Sequence, residues 1–242
     1  MNLCHTITLF PNQIQEFTSD QKLPLGTEGR TRDGRRFRYA SAGAATLVQG
    51  NMLQGPAQIA NHQNCAVQTA YALGDTSLSI TLGATAATAN QYAEGLAVVY
   101  DSTSKGYAFG IKSHLANAGS ATLVLQLYSD DLPQVALATS HHISLTPNPW
   151  SGVIQTPVTT LTGVVVGGCV APITAAYYGW IQVAGLFNAL NDGTAGTVGL
   201  GAAVPAAAAG AVKVMAATLR QVGQFQITAV DTVNQAIMLD LP

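Results

Sequence analysis

Apolar and polar positions alternate in short runs along most of this chain, and helical spacing is scarce. Ser77-Leu-Ser-Ile-Thr-Leu82 alternates strictly, which places Leu78, Ile80 and Leu82 on one face of a strand. Thr122 to Tyr128 does the same with Leu123, Leu125 and Leu127. Gly95-Leu-Ala-Val-Val-Tyr100 and Gly106-Tyr-Ala-Phe-Gly-Ile111 flank Asp101-Ser-Thr-Ser-Lys105, the pattern of a hairpin and its loop. Gln224–Ala229 and Gln235–Leu241 flank a short polar connection and predict a second hairpin. The one helical candidate runs from Pro56 to Ala72, with Pro56 suited to a first helical position. Ala202–Ala217 is rich in alanine, but Pro205 and Gly210 divide it into a loop with short structured pieces. Gly193–Gly201 holds too much glycine for either regular state, and no internal repeat stands out. The expected fold is mainly β, a β-sandwich or distorted barrel with an extended N-terminal arm and long Gly/Ala-rich loops.

Charge sharpens the domain picture. Charged residues make up 9% of the 242 and the net charge is −2, whereas apolar residues make up 48%. That is ample for a core, and it leaves little charge to keep a free monomer soluble, so other subunits are expected to cover part of the surface. Six of the ten basic residues (Lys22, Arg30, Arg32, Arg35, Arg36 and Arg38) crowd into one segment with two acids, Glu28 and Asp33. From Leu132 to Asn191 there is no formal charge. The chain therefore divides into an N-terminal arm, residues 1–40, and a β-rich body, residues 41–242, with a further sub-domain boundary near 145–160. Val164–Phe187 is long and uncharged, but glycines and Pro172 interrupt it, and consecutive strands explain it better than a membrane span. The first ten residues lack a basic region followed by a long apolar core, so no secretory signal is expected.

Candidate chemistry is sparse. Cys4, Cys65 and Cys169 are odd in number and widely spaced, which predicts neither a disulfide framework nor a zinc site. His141 and His142 are adjacent and would face opposite sides of a strand; His5, His62 and His114 stand alone. Asp130-Asp131 before Pro133 has the setting of a turn. There is no Gly-x-Ser-x-Gly elbow and no phosphate loop, so no enzyme, metal or cofactor is expected. The distinctive feature is Arg30-Thr-Arg-Asp-Gly-Arg-Arg-Phe-Arg-Tyr39. It reads in three ways: arginines on phosphates with Phe37 and Tyr39 stacking on bases, a solvated loop, or forked arginine contacts to carboxylates on an acidic protein surface. The balanced charge of the rest of the chain disfavours a specific nucleic-acid partner.

Gly34-Arg-Arg-Phe-Arg-Tyr-Ala-Ser-Ala-Gly43, followed by Leu47 and Gly50, resembles the N-terminal part of virion structural proteins that decorate capsids of tailed bacteriophages. Tyr178-Gly-Trp-Ile-Gln-Val-Ala-Gly185, then a Gly/Ala-rich stretch and a C-terminal hairpin, resembles a second element of the same proteins. The resemblance implies a capsid decoration (cement) protein, built mainly from β-structure, made in the host cytoplasm and resident on the capsid surface. Its partners would be the major capsid protein and further copies of itself, often as trimers, with no membrane involved. By position, Arg30, Arg32, Arg35, Arg36, Arg38, Phe37 and Tyr39 would be its capsid contacts. A tail or baseplate component, or another capsid component, is the neighbouring reading. A secreted carbohydrate-binding β-sandwich is the rival from another class, and it would need Trp150 or Trp180 on an open face.

Overall fold

A computed structural model describes residues 6–100, 105–130, 132, 135–193, 197–228 and 234–241. The chain forms two compact units, one of residues 58–148 and one of residues 2–57 together with 149–242. The larger unit begins with β1 (Ile7–Leu9), β2 (Phe17–Thr18), β3 (Glu28–Thr31), β4 (Arg36–Ser41) and β5 (Met52–Gln54). The smaller unit contributes β6 (Cys65–Ala66), β7 (Ser77–Thr81), β8 (Leu96–Val99), β9 (Ala108–His114), β10 (Thr122–Leu127) and β11 (His142–Thr146). The larger unit resumes with β12 (Ile154–Gln155), β13 (Val165–Cys169), β14 (Tyr178–Leu190), β15 (Gly201–Val204), β16 (Lys213–Val214), β17 (Arg220–Phe225) and β18 (Asn234–Asp240). The chain leaves and re-enters the larger unit at neighbouring points, since a Cβ on Gly55 would stand 2.6 Å from the Pro149 carbonyl.

In the larger unit the sheet runs β1-β3-β4-β14-β18-β17-β15-β16, with β2 and β13 also on β14, and with β5 joining β13 to β12. β14, thirteen residues long, is its spine. Its first half pairs with β4 from Tyr178↔Ser41 to Ala184↔Arg36, and its second half pairs with β18 from Ala184↔Asp240 to Leu190↔Asn234. A bulge between Gln182 and Ala184 bends the strand from one set of partners to the other. Gly185, at φ +93° and packed against Arg35, supplies the left-handed residue there. The buried Gln182 amide donates to the carbonyls of Ala184 and Leu186, which satisfies groups the bulge removes from the ladder.

The smaller unit is a nearly closed barrel in the order β6-β11-β8-β9-β10-β7, and a bridge between Val67 and Ile80 returns the far edge to the start. Within it β11-β8-β9-β10 has Greek-key order. Alternation fills the interior with Leu78, Ile80, Val99, Phe109, Ile111, Leu123, Leu125, Ile143 and Leu145. Leu78, Ile80, Leu123 and Leu125 are positions that the alternation of residues 77–82 and 122–128 predicts, whereas Ile143 and Leu145 lie on a strand that the sequence reading does not mark.

A local unit recurs in both parts of the chain. At Leu47, Tyr71, Ala87, Asn117, Leu137 and Ile173 one residue forms an isolated bridge, a spacer follows, and a tight turn leads into more chain. These corners pair with one another: Leu47 with Ile173, Tyr71 with Leu137 and Ala87 with Asn117. Each pair exchanges two main-chain hydrogen bonds of 2.9–3.2 Å. Five of the six turns carry a left-handed residue in the same place, namely Gly50, Gly74, Asn90, Ser120 and Ala176. Ala176, exposed at φ +63°, bears the steric cost of that conformation with no packing in return. Ala176→Gly is expected to stabilise the larger unit by about 1 kcal/mol and to raise its Tm by roughly 2–4 °C in a calorimetric scan. An unchanged or lower Tm would mean that the lost alanine methyl outweighs the relief.

The N-terminal segment departs from expectation. Residues 28–41 are not an arm outside the body but two strands of the main sheet, and β4 lies against the centre of β14. Arg36-Phe37-Arg38-Tyr39 alternates polar and aromatic positions, and the sheet buries the aromatic half completely. The unit boundaries fall at 57/58 rather than at 40/41, and at 148/149, inside the range of 145–160 expected for a sub-domain boundary. Pro56–Ala72 is not a helix: it holds only a single 3-10 turn (Ala60–His62) and β6, because its weak periodicity offers no apolar stripe to bury. Residues 101–104 of the first hairpin loop lie outside the described residues. Val164–Phe187 forms β13 and much of β14, and among the described residues no helix is long and apolar enough to cross a membrane.

Candidate interaction surface and a buried histidine pair

The arginine segment forms the β3–β4 hairpin. Its turn is set by Gly34 at φ +87° and by Asp33, which accepts from the Thr31 hydroxyl and from the Arg35 backbone N–H at 3.3 Å. Antiparallel register places Glu28 opposite Arg38, Gly29 opposite Phe37 and Arg30 opposite Arg36. One face of the hairpin therefore carries Phe37 and Gly29 into the core with Leu9, Tyr39 and Trp180. The other face carries Glu28, Arg30, Arg36 and Arg38.

The seven predicted contact residues separate accordingly. Phe37 is 0% and Tyr39 4% exposed, so neither is a surface contact; both belong to the core because alternation leaves them no other side. Arg38 is held in place by the Gly26 carbonyl at 3.0 Å, by Glu28 at 3.5 Å and by the Trp150 ring at 5.4 Å, which makes it structural. Arg35 pairs with Asp33 at 2.8 Å and lies over Phe37. Arg30 pairs with Glu28 at 2.7 Å yet keeps 57% of its side chain exposed. Arg36 reaches the Leu241 carbonyl at 3.4 Å, and Arg32 is exposed at the tip. The hydrogen bond from Arg30, with the further charges of Arg38 and Arg36, holds the Glu28 carboxyl below the usual range despite partial burial. Thr31 and Arg35 do the same for Asp33. A single acid, Glu28, thus serves three arginines on this face, and two of those three stand directly opposite each other. Like charges in that register oppose pairing of the strands.

A second constellation was not legible in the sequence. His62, at the end of the Ala60–His62 turn, and His114, the last residue of β9, meet across Tyr92. The Thr85 carbonyl, which only accepts, faces His62 Nε2 at 2.9 Å, so that nitrogen carries the proton. His62 Nδ1 then accepts from the Tyr92 hydroxyl at 2.5 Å. The Leu115 carbonyl likewise fixes the proton of His114 on Nδ1 at 2.9 Å, and Nε2 accepts the Tyr92 backbone N–H at 3.0 Å. The rings are 0% and 3% exposed, and the Tyr92 N–H donated to Nε2 holds His114 neutral in that tautomer. Burial drives the His114 pKa down from 6.5, and the same cause pushes Tyr92 up to about 12. These hydrogen bonds tie the turn at His62 and the end of β9 to Tyr92, which gives the group the form of a structural lock.

The remaining candidates stay apart. Cys65 and Cys169 are buried free thiols, and burial pushes Cys169 up to about 12 while its Sγ donates to the Ala171 carbonyl at 3.0 Å. Cys4, His5 and Asp131 lie outside the described residues. Among the described residues no group of three or more His, Cys, Asp or Glu is placed to hold a metal ion. Trp180 is 7% exposed and stacks edge-on against Tyr39, while Trp150 is half-buried over Gly26 and under Arg38. Neither tryptophan presents the open ring that the carbohydrate-binding reading requires. No family model, no curated protein and no solved structure matches this chain.

Proposed function

We propose that this chain is a non-enzymatic structural protein of a virion, a capsid decoration protein that docks through the outer face of its β3–β4 hairpin. The observation that carries the reading is the juxtaposition of Arg30 and Arg36 on neighbouring strands, with Arg32 exposed beside them and Glu28 as the only acid that the hairpin itself puts on that face. Such an excess weakens the isolated sheet and is relieved when carboxylates of a partner arrive. The surface supports the same reading. The barrel unit has seven charged residues in all, five of them acidic, yet exposes Leu73, Leu96, Tyr100, Tyr107, Leu115 and Val124. Apolar, weakly charged faces suit packing against further copies or a capsid shell. The resemblance of residues 34–50 and 178–185 to phage decoration proteins supplies the identity of the shell.

The test is binding to bare capsids. Replacing Arg30, Arg32 and Arg36 together with Ser is expected to reduce occupancy at least about tenfold at equal protein concentration. The variant relieves the Arg30–Arg36 repulsion and gives up the exposed Arg30–Glu28 pair and the Arg36–Leu241 bond, so it is expected to stay folded with a Tm no more than a few degrees from that of the wild type. Wild-type occupancy by the triple variant would remove this face as the docking site.

A further inference from the structure

We propose that the open face of the main sheet over β14, β18 and β17 packs against the same face of a second copy of this chain, about a two-fold axis. The face is read from register. Leu186 on β14 stands opposite Met238 on β18, Met238 opposite Gln224 on β17, and Gln224 opposite Gly201 on β15. Met215, just past β16, closes the row, its backbone N–H donating to the Gly201 carbonyl at 2.8 Å. Directly opposed residues share a face, so these five form one line across the sheet. Their chain neighbours Phe187, Ile237, Phe225 and Ala202 turn the other way, into the core. Leu186 is 55%, Met238 42% and Met215 37% exposed, which leaves three large apolar side chains of one line in solvent.

Charge identifies the occupant. At one end of this face Asp240 and Arg220 line a shared groove of about 630 Å³ with Met238 and Gln224. Both are exposed, and among the described residues neither side chain has an ion pair or a hydrogen bond. A partner of one charge sign would satisfy only one of the two. A second copy satisfies both, because exchanging β17 with β18 exchanges the two charges. An axis parallel to the strands, running above the sheet between β17 and β18, performs that exchange. Asp240 then meets the partner's Arg220, and Arg220 meets the partner's Asp240, as in any isologous contact. The same axis sets Met238 over the partner's Gln224 and Leu186 over the partner's Gly201, the one position of the row without a side chain. Strands related in this way run nearly aligned, which is a common packing of two sheets.

The pairing does not rest on the capsid-docking reading. None of these residues belongs to the β3–β4 hairpin, and the association is measured on the chain in solution with no capsid present. It does fit the composition: with 9% charged residues, the chain has little charge to keep such a face in water.

Sedimentation velocity of the full chain, from micromolar to submillimolar concentration, is expected to show a monomer–dimer equilibrium. Leu186→Glu should raise the dimer Kd at least about tenfold, and a dispersed ¹H–¹⁵N spectrum should show that this variant is folded. Arg220→Asp and Asp240→Arg each place like charges at both contacts, and each alone should weaken the dimer by a similar factor. Mixed in equal amounts, the two variants make both contacts attractive again, and the mixture should associate with nearly the affinity of the wild type. A charge pair within one chain cannot give that result, because neither variant carries both substitutions. A wild-type chain that stays monomeric at every concentration overturns the proposal. So does an oligomer indifferent to Leu186→Glu, or a mixture that associates no better than its components.

Discussion

A chain lacking residues 1–40 is expected to lose the cooperative unfolding transition of the larger unit altogether. The deletion removes β1, β2, β3 and nearly all of β4, and it leaves the first half of β14 with only its short pairing to β13. It also removes Phe37, Tyr39, Leu9 and Ile14, leaving Trp180 as the remnant of a five-residue buried cluster. Truncating one buried Phe to Ala costs about 3–5 kcal/mol, against a total stability of about 5–15 kcal/mol for a typical domain. Phe37→Ala alone should therefore lower the Tm of the larger unit by roughly 6–20 °C. Calorimetry and a ¹H–¹⁵N spectrum read the outcome of the deletion. The expected spectrum keeps dispersed signals from residues 58–148, whose core contains none of the deleted side chains, and collapses the rest. A truncated chain that still melts in the full-length pattern would make the segment an arm after all.

The barrel should weaken at both ends of the pH scale through one hydrogen-bond chain. For His114 the folded state resists protonation, because burial lowers its pKa from 6.5, with the nearby His62 adding to the shift and the Leu115 carbonyl opposing it. Below about pH 6.5 the unfolded chain binds a proton that the folded chain refuses, so stability present above that value is lost as pH falls toward the depressed pKa. For Tyr92 the sign is reversed. Its hydroxyl ionises near 10 in the unfolded chain and at about 12 in the barrel. Stability is full below pH 10 and falls by on the order of 2–3 kcal/mol as pH rises from 10 to 12. Chemical denaturation of the full chain at pH 5, 7.5 and 11 tests both limbs. His114→Gln should flatten the acid limb, and Tyr92→Phe the alkaline one. An acid limb unchanged in His114→Gln would assign it to other groups.

The alternation of residues 77–82 and 122–128 was sufficient to place β7 and β10 and to choose their buried faces, because a period of two has one structural meaning. Residues 36–39 obey the same rule, yet the density of arginine there draws attention to charge and away from Phe37 and Tyr39. A run of arginines at every second position is one face of a strand, and what lies between them is core. The corners were harder to see. Leu47-Val-Gln-Gly50, Tyr71-Ala-Leu-Gly74 and Ile173-Thr-Ala-Ala176 share only an opening apolar residue, a spacer and a small residue in the fourth place. What makes them equivalent is the left-handed turn and the partner each one finds, and neither is a property of residue type.

The candidate sites divide in the same way. Sequence alone determined that this is a β protein, that its charge is concentrated in residues 22–38, and that its cysteines have no metal-ligand spacing. Those follow from local periodicity and residue counts, which need no knowledge of what meets what. Tertiary structure alone decided which arginines are free to act. Register set Arg30 beside Arg36 and gave Arg38 to Gly26, Glu28 and Trp150, residues up to 112 positions away in the chain. It also decided that His62 and His114, 52 positions apart, share Tyr92. The physical reason is common to both. A buried polar group is defined by its partner, and strand pairing, which brings distant segments together through main-chain bonds that carry no residue identity, chooses that partner.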